Sequence, residues 1–342
     1  MTSVGSVDNY DEVQLSHGGG GRLTHQLLEE LIFPSFDNEY LEQRHDGAVF
    51  EAADKRLAFT TDSFVVTPLF FPGGDIGELA VWGTVNDLAM CGARPRLLSA
   101  GLIIEEGFSM KKLKNVVESM QRAAEVAGAK IVTGDTKVVE RDKADGLYIN
   151  TAGVGETLVK ESPGPAAIKA GDRVVLSGDV GRHGMAVLSH REGLEFESEI
   201  KSDCAPLWPA VEALIKAGIE PRCMRDLTRG GLATNLNELI NEQIGISIER
   251  QAVPVQEEVD AACEILGLDP LYVACEGRMV VVVPAGQEDK TVEVLSRFED
   301  TQNATTIGEV TSENKNLVSA SSAFGVDRVL EVKSGEQLPR IC

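Results

Sequence analysis

Four aspartates stand where packing alone gives a carboxylate little to do. Asp46 precedes the strand-like run 48–52, Asp62 sits within Thr60-Thr61-Asp62-Ser63, Asp87 follows Asn86 inside an apolar helical pattern, and Asp135 follows Gly134 in Gly-Asp-Thr-Lys. Acidic groups are seldom buried unless they are paired or hold a cation. Magnesium takes a few carboxylate oxygens together with waters and substrate phosphates, so this set makes the first half of the chain a candidate magnesium-nucleotide site. Residues 134–137 also place a carboxylate, a hydroxyl and an ammonium close together, at what reads as a kink that breaks a strand. A hairpin turn at Gly-Asp would have the same sequence.

Four further stretches can carry chemistry. The glycines at 18–21 precede a helical pattern (Leu23, Leu27, Leu28, Leu31, Ile32), where backbone N–H groups can wrap an anion. This is no Walker loop, because Arg22-Leu23 stands where Lys-Ser/Thr is required, and a flexible hinge is the alternative. Arg225-Asp226-Leu227-Thr228-Arg229-Gly230-Gly231 again leads glycines into a helix start. Glu276, in Cys275-Glu276-Gly277-Arg278, stands at the mouth of the apolar run Met-Val-Val-Val-Val; a surface carboxylate at a strand end would read alike. The fourth is Cys342, the last residue. Chain ends fray, so its thiol is expected to be reachable. Prenylation is excluded, since that signal puts the cysteine fourth from the end. Extended at ~3.3 Å per residue, the stretch from Lys333 to Cys342 spans about 33 Å, enough to carry the thiol into a cleft.

The elements that must position these residues are those of an ordinary globular protein. The 342 residues are 43% apolar and 25% charged, enough for about two domains. A formal charge of -22 with no basic run argues against nucleic acid and anionic membranes. Residues 1–15 contain no apolar signal core and no later run could span a bilayer, so a cytoplasmic protein is expected. The six cysteines have no CxxC spacing and the five histidines form no metal-binding pattern. Strands are expected at 48–52, 57–66, 97–104, 173–177, 246–248 and 279–283. A helix opens at Asp75 with Glu78 at capping-box spacing, and others cover 109–127 and 207–217. Residues 161–165, Glu-Ser-Pro-Gly-Pro, read as a linker.

The motifs HGGGG (17–21), HDGAVF (45–50), TTDSFVV (60–66), GTVNDLAMCGA (83–93), GDTKVV (134–139), RDLTRGGLA (225–233), CEGR (275–278) and the closing PRIC together resemble the hydrogenase maturation carbamoyl dehydratases. This HypE family is a branch of the aminoimidazole ribonucleotide synthetase-like ATP enzymes, and the resemblance runs from about residue 13 to 342. It implies an α+β protein of two mixed α/β domains. Residues 1–160 would bind ATP and Mg2+ and pair their sheet with a second copy's into a shared barrel. Residues 166–332 would form an α/β sandwich, and 333–342 a flexible tail ending in Cys342.

The activity implied is ATP-dependent dehydration of a carboxamide on Cys342 to a thiocyanate, the source of the cyanide ligand of nickel-iron hydrogenase. The resemblance assigns Asp46, Asp62, Asp87 and Asp135 to the metal. It assigns Gly18, Gly19, Gly20, Gly21, Asp62, Asn86, Asp87, Thr136 and Asp226 to the nucleotide, and Cys342, Lys137 and Glu276 to catalysis. Either Lys137 or Glu276 would take protons from the carboxamide nitrogen; a lysine does so only if its surroundings lower its pKa. The partners implied are a second copy, a HypF-type carbamoyltransferase and a HypC/HypD-type iron-carrying scaffold. Two other readings compete. A selenophosphate synthetase would be expected to carry a reactive cysteine near its start, whereas the first here is Cys91. A nucleotide-sensing scaffold would bind ATP without consuming it stoichiometrically with a change in the tail.

Overall fold

The computed structural model describes residues 21–35, 39, 41–194, 199–322, 327–333, 338 and 340–342. The described residues open with a short helix, α1 (Arg22–Leu27), that passes through a π turn (Leu28–Ile32) into α2 (Phe33–Ser35). Next come the hairpin β1 (Ala48–Ala52) and β2 (Lys55–Phe64), the small ribbon β3 (Phe70–Phe71) and β4 (Gly74–Asp75), and α3 (Ile76–Met90). The first sheet is completed by β5 (Ala93–Glu105), α4 (Met110–Ala127), β6 (Lys130–Val139) and β7 (Leu147–Thr157). Its order is β1-β2-β7-β5-β6. Only the last pair is parallel, because α4 supplies the crossover that a parallel pair needs. Ser109 caps α4, and Gly128 stops it at φ +68°.

Along β2 the residues Ala58, Thr60 and Phe64 point inward and are buried, while Phe59, Thr61 and Ser63 point to the open face. α3 lies across the inner face, started by Asp75, whose carboxylate accepts from the Gly77 and Glu78 N–H groups. Twelve of its 15 residues are buried, so it has almost no solvent face and forms the centre of the molecule. Two glycines permit the close approach: a Cβ on Gly83 would lie 2.8 Å from the Phe64 ring, and one on Gly153 would lie 2.8 Å from Thr84 Cγ2. The break expected at Gly134-Asp135 is absent and β6 is continuous. A Cβ at Gly134 would sit 2.1 Å from the Ala100 oxygen of β5; glycine here lets the strand pair straight through rather than turn it.

The second sheet follows an irregular stretch, 158–172. Its chain order is β8 (Arg173–Leu176), α5 (Arg182–Glu192), α6 (Trp208–Lys216), β9 (Cys223–Asp226), α7 (Gly231–Glu238), β10 (Gly245–Glu249) and α8 (Glu257–Leu266). Then come β11 (Met279–Val283), α9 (Glu288–Leu295), β12 (Thr305–Thr311), β13 (Val318–Ser321) and β14 (Asp327–Val329). Strands run β14-β13-β10-β12-β8-β11-β9 across it. β11 explains the apolar run in the sequence, for it is covered on both sides. Met279, Val281 and Val283 pack with α6 and α9, whereas Val280 and Val282 pack with α7. The mixed α/β class agrees with expectation.

One core joins both sheets: Phe64, Leu79 and Val85 of the first unit belong to the same apolar cluster as Val211, Leu214 and Val281 of the second. α1 also crosses to the second unit. The Arg22 N–H donates to the Lys333 oxygen at 3.3 Å, and His25 Nε2 lies 3.3 Å from Glu238 Oε1 on α7. None of the helices is long and apolar enough to cross a membrane among the described residues.

Candidate active site

Asp46 in the turn before β1, Asp87 on the last turn of α3 and Asp226 at the end of β9 converge at the seam between the sheets. One carboxylate oxygen from each lies within 4.8 Å of the others. Thr60 on β2 braces the group, its Oγ1 lying 2.7 Å from Asp87 Oδ2 and 3.0 Å from the Asp46 oxygen. Asp62, two residues along the same face of β2, leans over α3 at Gly83. Burial and the negative charges of Asp226, Asp46 and Asp62 push Asp87 well above the usual carboxylate range. Asp226 is pushed well up by burial and by Asp46. Burial also raises Asp62, against Arg229 and the Ser63 N–H. Asp46 is the exception: burial works upward, but Arg225 and His45 hold it below the usual range. Arg225 Nη1 is 3.1 Å from Asp46 Oδ1, and the same guanidinium is paired with Glu238, which His25 also meets. Three crowded carboxylates, two of them with raised proton affinity, form a set of hard oxygen donors, and a small divalent cation would relieve the repulsion on Asp87 and Asp226.

Glu276 lies on a loop that both units hold. Asn86, next to Asp87 on α3, donates from Nδ2 to the oxygens of Ala205 and Glu276 at 3.0 and 3.2 Å and accepts from the Leu207 N–H at 2.8 Å. The Glu276 N–H donates to Asp203 Oδ1 at 3.0 Å. A Cβ on Gly277 would lie 2.0 Å from the Asp203 oxygen, so the loop needs glycine there. Arg278 is buried beneath, donating to Asp179 Oδ1 at 2.7 Å and to the oxygens of Asp179, Gly277 and Asp300. Glu276 itself is 4% exposed, and its Oε1 has no hydrogen-bond partner among the described residues. Burial, then Asp226, Asp62 and Asp203, push it well above the usual carboxylate range.

The described end of the tail, residues 340–342, is docked in this structure. The Val65 N–H donates to the Cys342 oxygen at 3.0 Å and the Thr67 N–H to the Arg340 oxygen at 3.2 Å. Arg340 Nε donates to the Val65 oxygen at 3.0 Å, and its guanidinium is paired with Asp145. Ile341 is 3% exposed and belongs to the core that joins the two sheets. Burying such a side chain contributes about 2 kcal/mol, enough to hold a short segment in place. Cys342 is half-buried, while the other five cysteines are buried.

The structure thus brings Asp46, Asp87 and Asp226 together, with Asp62 and Glu276 acting on them electrostatically. It does not bring Asp135, Thr136 and Lys137 to them within one chain. Asp135 and Lys137 are paired at 2.8 Å on β6, their side chains 68% and 69% exposed. β6 lies three strands from β2, about 14 Å at ~4.8 Å per step. Asn86, assigned to the nucleotide by the resemblance, has both ends of its amide bonded within the protein, Nδ2 to the Ala205 and Glu276 oxygens and Oδ1 to the Leu207 N–H at the start of α6. Gly18, Gly19 and Gly20 lie outside the described residues; Gly21 is buried and precedes α1. The sequence reading missed Thr60, Arg225, Glu238 and Asp203. Arg225 was legible as the neighbour of Asp226 in an anion-type motif, but Asp203 lies in a stretch with no motif.

Residues 44–157 match the AIR synthase related protein, N-terminal domain, and residues 169–319 match the AIR synthase related protein, C-terminal domain. The chain is 49% identical over 331 residues to the carbamoyl dehydratase HypE of Azotobacter vinelandii, covering 96% of this chain and 97% of that protein. Among solved structures it is similar to a HypE-HypF complex, with TM-score 0.85 and 44% identity over 90% of this chain and 99% of the other. It is also similar to HypE in complex with ATP, with TM-score 0.82 and 44% identity over 97% of this chain and 100% of the other.

Proposed function

Because the chain belongs to the HypE carbamoyl dehydratases of hydrogenase maturation, within the AIR synthase-related family, we propose that it dehydrates a carboxamide carried on its own Cys342. The observation that carries this reading is the docked chain end: half-buried Cys342 is bonded through its main-chain oxygen to Val65, just past the strand β2 that carries Thr60 and Asp62 of the carboxylate site.

The amide oxygen is a poor leaving group, so it must first become a phosphate ester. ATP supplies that phosphoryl group, and Mg2+ held by Asp46, Asp87 and Asp226 would neutralise its charge. When the amide oxygen gains phosphorus, the nitrogen gives up one proton. Loss of the second N–H proton then drives the electron pair into a C–N triple bond, and phosphate departs with the former amide oxygen. The balance is one thiocyanate, one ADP and one phosphate per thiol. We assign removal of the N–H proton to Glu276. Its surroundings make the carboxylate a stronger base than an ordinary glutamate, and one oxygen is left without a partner. Lys137, an exposed ammonium paired with Asp135, suits charge neutralisation instead, once a second copy covers β6.

That second copy is part of the proposal. On its open face the first sheet exposes Phe59 of β2 and Leu97 and Ile103 of β5, the last beside Lys137 of β6, an apolar surface that a matching sheet would cover. The HypE-HypF structure supports a HypF-type carbamoyltransferase as donor, and a HypC/HypD-type iron scaffold would receive the cyanide. Six cysteines without a disulfide suit a reducing cytoplasm.

The intact mass of protein carbamoylated at Cys342, taken before and after Mg-ATP, tests the reading. We expect loss of one water from the terminal peptide with one ADP formed per thiol. ATP consumption without any change at Cys342 would defeat it.

A further inference from the structure

His183 takes no part in the dehydration chemistry, yet it is completely buried in the first turn of α5. Its ring stands edge-on to Phe71, with centroids 5.3 Å apart. Nδ1 lies 2.8 Å from Ser202 Oγ, and Nε2 lies 2.8 Å from the Ile341 main-chain oxygen. A carbonyl can only accept, so in the neutral ring Nε2 carries the proton and Nδ1 accepts from the serine hydroxyl. Ser202 is fixed in turn, since its Oγ accepts from the Cys204 N–H at 3.0 Å and its own N–H donates to the Pro72 oxygen at 2.8 Å.

The geometry of the tail gives this bond its meaning. The Arg340 and Cys342 oxygens accept from the Thr67 and Val65 N–H groups, whereas the Ile341 oxygen between them meets His183 Nε2 inside the protein. Without His183 it would be a buried acceptor with no donor. The neighbouring residue completes the seat: a Cβ on Gly184 would lie 3.0 Å from Leu338 Cδ1 and 2.5 Å from Val273 Cγ1. The N–H groups of Val65 and Thr67 alone could donate to other tail carbonyls. His183 and the space at Gly184 distinguish one register from the next.

We propose that the His183-Gly184 turn sets the register of the docked tail, so that the side chain of Cys342, rather than its neighbour's, is presented at the seam. A slip of one residue would displace the thiol and take the Ile341 oxygen away from His183. His183 is a positioning residue and touches no reacting atom. The docking inference stands on the contacts above; only its catalytic consequence rests on the proposed function.

The test is the rate at which a neutral maleimide alkylates Cys342 in the full-length protein, read by peptide mass. His183→Ala is expected to raise that rate about tenfold, because the stranded carbonyl weakens docking. His183→Gln, which keeps an N–H within reach, should restore a rate near that of the unaltered protein. Ser202→Ala, which spares the ring but frees its tautomer, should raise the rate by less and guards against a folding defect in the alanine variant. Single-turnover dehydration of the S-carboxamide should slow about tenfold in His183→Ala with the KM for ATP unchanged. Unchanged alkylation in both alanine variants overturns the inference, and so does faster alkylation with undiminished dehydration. If the unaltered protein never loses water while alkylation follows the expected order, the proposed function fails and the docking inference stands.

Discussion

Two acidic regions that look alike in the sequence occupy opposite environments in the fold. Asp46, Asp87 and Asp226 crowd a buried seam, whereas Asp135 lies in the open on β6. At the seam, burial and like charges drive Asp87 and Asp226 upward, so the site is under electrostatic tension that a cation would release. On β6, the hydrogen bond from Lys137 and the Thr136 N–H hold Asp135 below the usual range, and solvent screens the pair. The same residue type is therefore ready for chemistry in one place and satisfied in the other. What separates them is exclusion of water, and β6 can gain that only from a covering surface.

The largest effect should come from breaking the seam. Asp87→Asn is expected to lower ATP-dependent dehydration by about a thousandfold, by removing a ligand where charge is transferred. It should also melt, without Mg2+, at or above the temperature of the unaltered protein, since one of three repelling charges is gone. Only the unaltered protein should gain melting temperature on adding Mg2+. Equal Mg2+ responses in the two proteins would remove the cation from this site.

Next in size is a direct contest between the regions. Glu276→Gln and Lys137→Ala should each slow dehydration by about a hundredfold. If Lys137 serves the site of a second copy, mixing the two variants should restore activity at about a quarter of sites, because a mixed dimer contains one intact combination. No recovery on mixing, with subunit exchange verified by native mass spectrometry, would return Lys137 to its own subunit and erase the contrast.

The sequence disclosed chemistry better than it disclosed location. Asp46, Asp62 and Asp87 stood out because a carboxylate beside an apolar run has few structural uses, whereas Glu276 read equally well as a surface carboxylate at a strand end. The doubly covered strand 279–283 was legible because it needs no periodicity to be read. The expected break in β6 misled because Gly134-Asp135 looks like a turn. Only the approach of the Ala100 oxygen shows that glycine is there for closeness, and that is a contact across strands. The joining role of Asn86 was hidden for a related reason: its partners lie more than a hundred residues away in the chain. His183 gave no sign, since a lone histidine at a helix start has no pattern and its partner is the last turn of the chain.

The smallest expected effect separates a titrating group at the seam from one on the strand. Burial lowers the pKa of His183 from its ordinary 6.5, against Asp203 and the Ile341 oxygen, which work upward. The folded protein therefore binds fewer protons there than the unfolded chain, so stability rises with pH through this window. This contribution is fully present above pH 6.5 and is lost as the pH falls below it. Asp135 is shifted downward from 3.8, so its linkage lies in a more acid range and leaves the region near pH 6 untouched. Urea unfolding from pH 7.5 to 5.5 should show the stability of the unaltered protein falling relative to His183→Gln, with a slope of at most about 1.4 kcal/mol per pH unit. An Asp135→Asn variant should run parallel to the unaltered protein over the same range. Parallel curves for His183→Gln as well would mean that the buried ring is not held neutral, and the seam would then differ from β6 in burial without differing in proton affinity.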